Sequence, residues 1–120
     1  MCLQQILEIP EEYKTGEHVG YKVLVGQYYT PIMSKYIKLN EWVFDDNPNI
    51  INIFYATDML EYKLGFHIFI NRKDADDYVQ TDDDVVVKVK FKDVVAYGLE
   101  GSAKVIVAKQ MYVDKQHLPT

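Results

Sequence analysis

The run Val85-Val86-Val87-Lys88-Val89-Lys90-Phe91-Lys92 constrains this chain more than any other stretch. Val85, Val87, Val89 and Phe91 recur at every second position, while Lys88, Lys90 and Lys92 fall on the other parity. That is the period of a strand with one face on a core and one in water. Lysines on the outer face also discourage edge-to-edge association. Such a strand needs partners, and several are legible. Tyr21-Lys22-Val23-Leu24-Val25 is rich in β-branched and aromatic residues and is closed by Gly26. Residues 94–97 continue the valine strand past a bulge near Asp93, Gly98 and Gly101 bracket a turn, and residues 104–107 return as a strand that extends toward Val113.

The clearest strand-to-helix junction is Gly65-Phe66-His67-Ile68-Phe69 followed by Asn71. Phe66, Ile68 and Ile70 take one side of the strand, His67 and Phe69 the other. Asn71 is a good N-cap, with Asp74 three residues on to favour the exposed amides, and Ala75, Tyr78 and Val79 share a helical face. The pattern predicts a helix over about 71–80, ended by a solvated turn at Thr81-Asp82-Asp83-Asp84. Elsewhere the signals are weaker. Residues 1–9 fit a short strand or one helical turn, 11–20 a loop, 36–39 a short strand, and Asn40-Glu41-Trp42 a turn or brief helix. Asp45-Asp46-Asn47-Pro48-Asn49 is a breaker, 50–55 is apolar without a clear type, and 56–63 fits a helical turn. Strands outnumber helices and do not alternate with them. The expected class is therefore α+β, a small mostly antiparallel sheet with one short helix. Residues 1–113 form a single domain, and 114–120 a frayed tail.

Composition narrows the function classes. A chain of 120 residues with 48% hydrophobic content and ten tyrosines can bury one modest core. Its net charge of −5 argues against non-specific binding to nucleic acid or to an anionic membrane. The single cysteine, Cys2, excludes an internal disulfide framework and a cysteine-based zinc site. The opening ten residues carry no basic residue, and no apolar run approaches the roughly 20 residues that span a bilayer, so a cytoplasmic protein is expected. His18, His67 and His117 lie in separate segments without ligand spacing, and no Walker loop or dinucleotide fingerprint occurs, so no metal or cofactor is expected.

Met1-Cys2-Leu3, Gly20-Tyr21-Lys22-Val23-Leu24, Tyr28-Tyr29-Thr30-Pro31, Leu39-Asn40-Glu41-Trp42 and Gly65-Phe66-His67-Ile68-Phe69 follow one another in an order that resembles a group of small proteins of bacteriophages and bacterial mobile elements. The resemblance spans residues 1–113. It departs after Pro31, where the group often has an aromatic, and over 45–64. It implies a phage or bacterial setting and carries over no activity, cofactor or catalytic residue.

Four residues are candidates for chemistry. His67, beside a glycine at a strand-to-helix junction, suits a general base or a phosphate contact; equally, its ring can cap a loop carbonyl and hold the turn. Cys2 would become an N-terminal nucleophile if Met1 were removed, but lacks the glycine and arginine surroundings of such enzymes. The sheet is loosely similar to the split sheet of ADP-ribosyltransferases, with Tyr21 on an early strand. The late strand opens Ser102-Ala103-Lys104, though, where those enzymes need a glutamate, and Glu100 lies in the turn before it. For binding, Tyr28, Tyr29, Tyr36 and Trp42 belong to a surplus of aromatics too large for one small core to bury completely, and tyrosine and tryptophan suit protein interfaces. The leading expectation is a small non-catalytic protein-binding or regulatory domain acting on a host or sibling protein, alone or as a homodimer. The alternative is a small enzyme or ligand-binding domain around His67, Tyr21 and Glu100.

Overall fold

A computed structural model describes residues 3–25, 38–45, 50–55 and 58–117. In chain order its strands are β1 (Gln5–Leu7), β2 (His18–Val25), β3 (Trp42–Phe44), β4 (Ile50–Tyr55), β5 (Asp58–Lys63), β6 (Phe66–Phe69), β7 (Asp84–Glu100) and β8 (Ala103–Val113), with helix α1 (Arg72–Tyr78) between β6 and β7. Every pairing is antiparallel. The class is α+β, mostly antiparallel sheet with one short α-helix among the described residues, as the alternation predicts.

The long β7–β8 hairpin organises the rest. One edge of β7 carries β2 along its first half, from Val25↔Asp84 to His18↔Phe91, and β1 along its second, from Leu7↔Tyr97 to Gln5↔Leu99. The free edge of β8 carries β6 and then β3. Because β2 also meets β6 at Tyr21↔Phe69, strands β2, β7, β8 and β6 close into a ring. Closure needs a sharp bend in β7. Asp93 takes a left-handed φ of 58°, and the register slips between Val94 and Ala96, a bulge that coils the strand. It also needs β2 to approach β6 closely. Gly20 permits this, since a Cβ there would lie 2.9 Å from the Phe69 carbonyl oxygen.

Alternation then sorts the side chains. Leu24, Ile68, Val87, Val89, Phe91, Ile106 and Met111 fill the interior of the ring, while Leu3, Val23, Phe69, Ala75, Val105 and Val107 form a second layer on the outside. The helix covers part of that layer. At seven residues α1 is too short to be stable alone, so burial of Ala75 and the contact of Tyr78 with Phe69, ring centroids 5.6 Å apart, must hold it. A charged side chain at Ala75, which is fully buried, would undo the helix first.

Several local expectations are corrected. The segment 56–63 is not helical. Residues from Asp58 onward form β5, paired with β4 from Tyr55↔Asp58 to Ile50↔Lys63, and ladder pairing overrides the weak helical propensity. Asn40 has a left-handed φ of 59°, after which Trp42 starts a strand, not a brief helix. The supposed loop at 11–20 contains a 3-10 turn (Glu11–Tyr13) and gives way to β2 already at His18. Asn71 is the N-cap residue of α1, but its side chain does not cap; its amide donates to Asp74 Oδ2 at 3.4 Å. Gly98 lies inside β7 and not in the turn; it pairs with Ile6 of β1, where a Cβ would collide with the Gln5 carbonyl, so a glycine is needed at this strand position. The tail is not wholly frayed: Lys115–His117 is a 3-10 turn, tied by Lys115 N–H to Asn40 Oδ1 at 2.9 Å. The strand expected at 36–39 falls partly outside the described residues, and 38–39 are not strand.

Candidate functional site

Two features concentrate chemistry, one around β2 and β6 and the other on β7, β8 and β3. The first is a buried polar relay. His67 points out of the ring into the second layer, where it is 5% exposed. Its Nε2 lies 3.1 Å from the Tyr62 hydroxyl, and that oxygen accepts the Leu3 backbone N–H at 3.1 Å. With the Leu3 hydrogen occupying the tyrosine oxygen, the Tyr62 O–H donates to Nε2. The proton on the ring then sits on Nδ1, hydrogen-bonded to the Gly65 backbone. The neutral imidazole is thus satisfied on both nitrogens. Burial, with the Lys22 amine nearby, lowers its pKa from 6.5 to about 3. At neutral pH such a ring is a poor base, and it holds the β5–β6 corner to the N-terminal segment.

Beneath it lies a residue that reading the sequence for motifs passes over. Lys22 falls on the inward parity of β2, between Gly20 and Leu24 and in register with Val87, and is 3% exposed. Its Nζ donates to the His67 carbonyl oxygen at 2.8 Å. The acceptor is there because β2 and β6 pair only at Tyr21↔Phe69, so beyond that point the amine reaches across the seam in place of a ladder bond. No carboxylate pairs with it among the described residues. Burial without a counter-charge lowers its pKa from 10.5 to about 7. The sequence signal was available: Lys22 is the one charged residue in an otherwise apolar strand.

The other candidates do not join His67. Tyr21 is half-buried in the second layer, next to Lys88 in the β2–β7 register. Glu100 ends β7; burial raises its carboxyl pKa, and its Oε2 is enclosed without a hydrogen-bond partner among the described residues. Neither is among the hydrogen-bond partners that His67 makes. Cys2, Tyr28, Tyr29 and Tyr36 lie outside the described residues. Among the described residues no group of three histidine, cysteine, aspartate or glutamate side chains converges on a point, and no helix is long and apolar enough to cross a membrane. A cleft of about 660 Å³ opens beside Tyr62, between Ile6, Leu7 and Ile9 on one side and the bulged Val94–Ala96 segment on the other, with Glu61 and Lys63 at its rim.

The second feature is the outward face of β7, β8 and β3. One row runs across four strands in register: Val19 of β2, Lys90 of β7, Tyr112 of β8 and Trp42 of β3. The next row is Lys92, Gln110 and Phe44. Val19 is 48% exposed and Phe44 55%. Trp42 and Tyr112 meet edge to face at 5.7 Å, Lys92 Nζ lies 4.2 Å from the Trp42 ring centroid, and Lys90 Nζ lies 5.5 Å from that of Tyr112. These are cation–π distances. Of the aromatics expected to bind, Trp42 is therefore placed on an exposed face. Tyr112, Phe44 and Val19 join it, and only the register, invisible in the sequence, brings them together. Compared with protein-family models, with curated proteins and with solved structures, the chain matches none.

Proposed function

We propose that this protein is a small non-catalytic binding or regulatory domain that engages a protein partner through the outward face of β7, β8 and β3. The observation that carries the reading is the in-register row Val19–Lys90–Tyr112–Trp42, with Phe44 beside it. It combines exposed apolar area with aromatic side chains whose polar tips tolerate water, the composition that protein interfaces favour. A host or sibling protein in the cytoplasm of a bacterial host cell is the partner that suits the sequence resemblance. The test is quantitative capture from bacterial lysate with wild type, Phe44→Ala/Tyr112→Ala, and Lys73→Glu on α1 as a control far from the face. One stoichiometric partner, lost with the double variant and kept with the control, is expected. Retention by the double variant, or no partner at all, refutes the reading.

A second reading, a ligand-binding domain around His67, draws on the cleft beside Tyr62. A small molecule seated there would change the Tyr62 and His67 resonances on titration, and an NMR fragment screen that leaves both unmoved removes it.

A further inference from the structure

We infer that this outward face receives an extended acidic polypeptide segment with one apolar side chain among its carboxylates, an inference that rests on the binding reading above. Lys88, Lys90 and Lys92 occupy alternate positions of one strand, so their Cα atoms recur at about 7 Å, the interval at which alternate side chains of any extended chain branch off. Among the described residues none of the three is paired with a carboxylate. They are cations in search of counter-charge on a molecule whose overall charge is −5.

Two of them are also held in place. The amines of Lys90 and Lys92 lie over the rings of Tyr112 and Trp42, which reduces the side-chain freedom that binding would otherwise cost. Between Val19, Lys88, Lys90 and Tyr112 lies a dimple of about 140 Å³, floored by Val89, with room for a single aliphatic side chain. An apolar residue seated there would set the neighbouring carboxylates beside Lys88 and Lys90. Asp114 on the rim of the dimple and Asp93 next to Lys92 interrupt the positive surface. A nucleic-acid strand, with a phosphate at every step, would set charge against both acids, whereas a peptide can place uncharged residues there.

The test is fluorescence anisotropy with labelled synthetic peptides and the full chain. The probe alternates glutamate with serine around one central leucine. Comparison probes replace the leucine by alanine, replace the glutamates by glutamine, or are single-stranded oligothymidylate. Saturable binding of the acidic leucine peptide is expected, weakened ~10-fold or more by Lys90→Glu and by the glutamine probe, and reduced by added salt. Quenching of Trp42, the single tryptophan, should titrate with it. The leucine-to-alanine probe should bind several-fold more weakly. No binding by wild type, equal binding by Lys90→Glu, or tighter binding of oligothymidylate each overturns the inference. If lysate capture still depends on Phe44 and Tyr112 while the acidic peptide fails, the partner class falls and the binding face stands.

Discussion

Replacing Lys22 by methionine should make the protein more stable below neutral pH and change it little at alkaline pH. Lys22 sits inside the ring, 3% exposed, with a single acceptor, the His67 carbonyl at 2.8 Å. Its pKa falls from 10.5 to about 7. At 1.36 kcal/mol per pH unit that fall puts a nominal penalty of ~5 kcal/mol on the charged amine in the folded state. The sign follows from proton linkage. Below pH 7 both folded and unfolded chains hold the proton, and the folded state bears the whole penalty. Between pH 7 and 10.5 the unfolded chain keeps the proton and the folded chain gives it up, so stability rises with pH. Methionine fills a similar volume without a charge, but leaves the His67 carbonyl without its donor, at a cost of about 1–3 kcal/mol. The net gain at pH 6 should be ~2–4 kcal/mol, shrinking to zero or a small loss by pH 10. Urea denaturation followed by Trp42 fluorescence, at steps from pH 6 to pH 10, measures this directly. Parallel stability curves for the two proteins would refute the reasoning. So would a Lys22→Met variant that is less stable at pH 6, because either result requires a counter-charge for the amine.

Three further outcomes follow from the same network and its supports. His67, with its pKa lowered from 6.5 to about 3, binds a proton in the unfolded chain before the folded one, so wild-type stability should drop as pH falls from 6.5 toward 3. His67→Gln should move the acid-unfolding midpoint to lower pH, read from Trp42 fluorescence, and an unchanged midpoint would count against a neutral buried ring. Tyr62→Phe strips partners from both Leu3 N–H and His67 Nε2; it should cost ~1–3 kcal/mol in urea and expose the Leu3 amide to hydrogen exchange. Gly98→Ala places a Cβ against the Gln5 carbonyl and should cost ~1–3 kcal/mol while loosening β1, seen as faster exchange at Ile6 with β2 still protected.

What the sequence made legible was what periodicity can encode. The alternation from Val85 to Lys92 gave the buried and exposed faces of β7, and Asp93 gave its bend, because a strand with one wet face writes its period into its residues. The junction from Gly65 to Asn71 was legible for the same reason, with the apolar parity set by Phe66 and Ile68. The segment of β5 was not, since its identity as a strand depends on pairing with β4, and weak local preference yields to such pairing. The candidate sites divided along the same line. Trp42 could be singled out by residue type, but its association with Tyr112, Lys90 and Lys92 exists only through the β3–β8–β7 register. The partner of His67 is Tyr62, five residues earlier and across the Gly65 corner, a relation with no spacing signature.

Lys22 shows why the closed ring and the polar relay are one arrangement. Had β2 and β6 paired along their length, the His67 carbonyl would have a backbone donor and a lysine on the inward parity of β2 would have no acceptor. Because the two strands meet only at Tyr21↔Phe69, the seam leaves an acceptor that a long side chain can reach. The amine that fills it adds a positive field beside the His67 ring, which strengthens the preference for neutral imidazole and so for the tautomer that accepts from Tyr62. Protonation of His67 would set two like charges near one another in an enclosed space and reverse the donor that Tyr62 requires. The seam is therefore where acid should first open the fold. The lysine and aromatic face lies mainly on β7, β8 and β3 and includes neither Lys22 nor His67, so it can meet a partner without disturbing that seam.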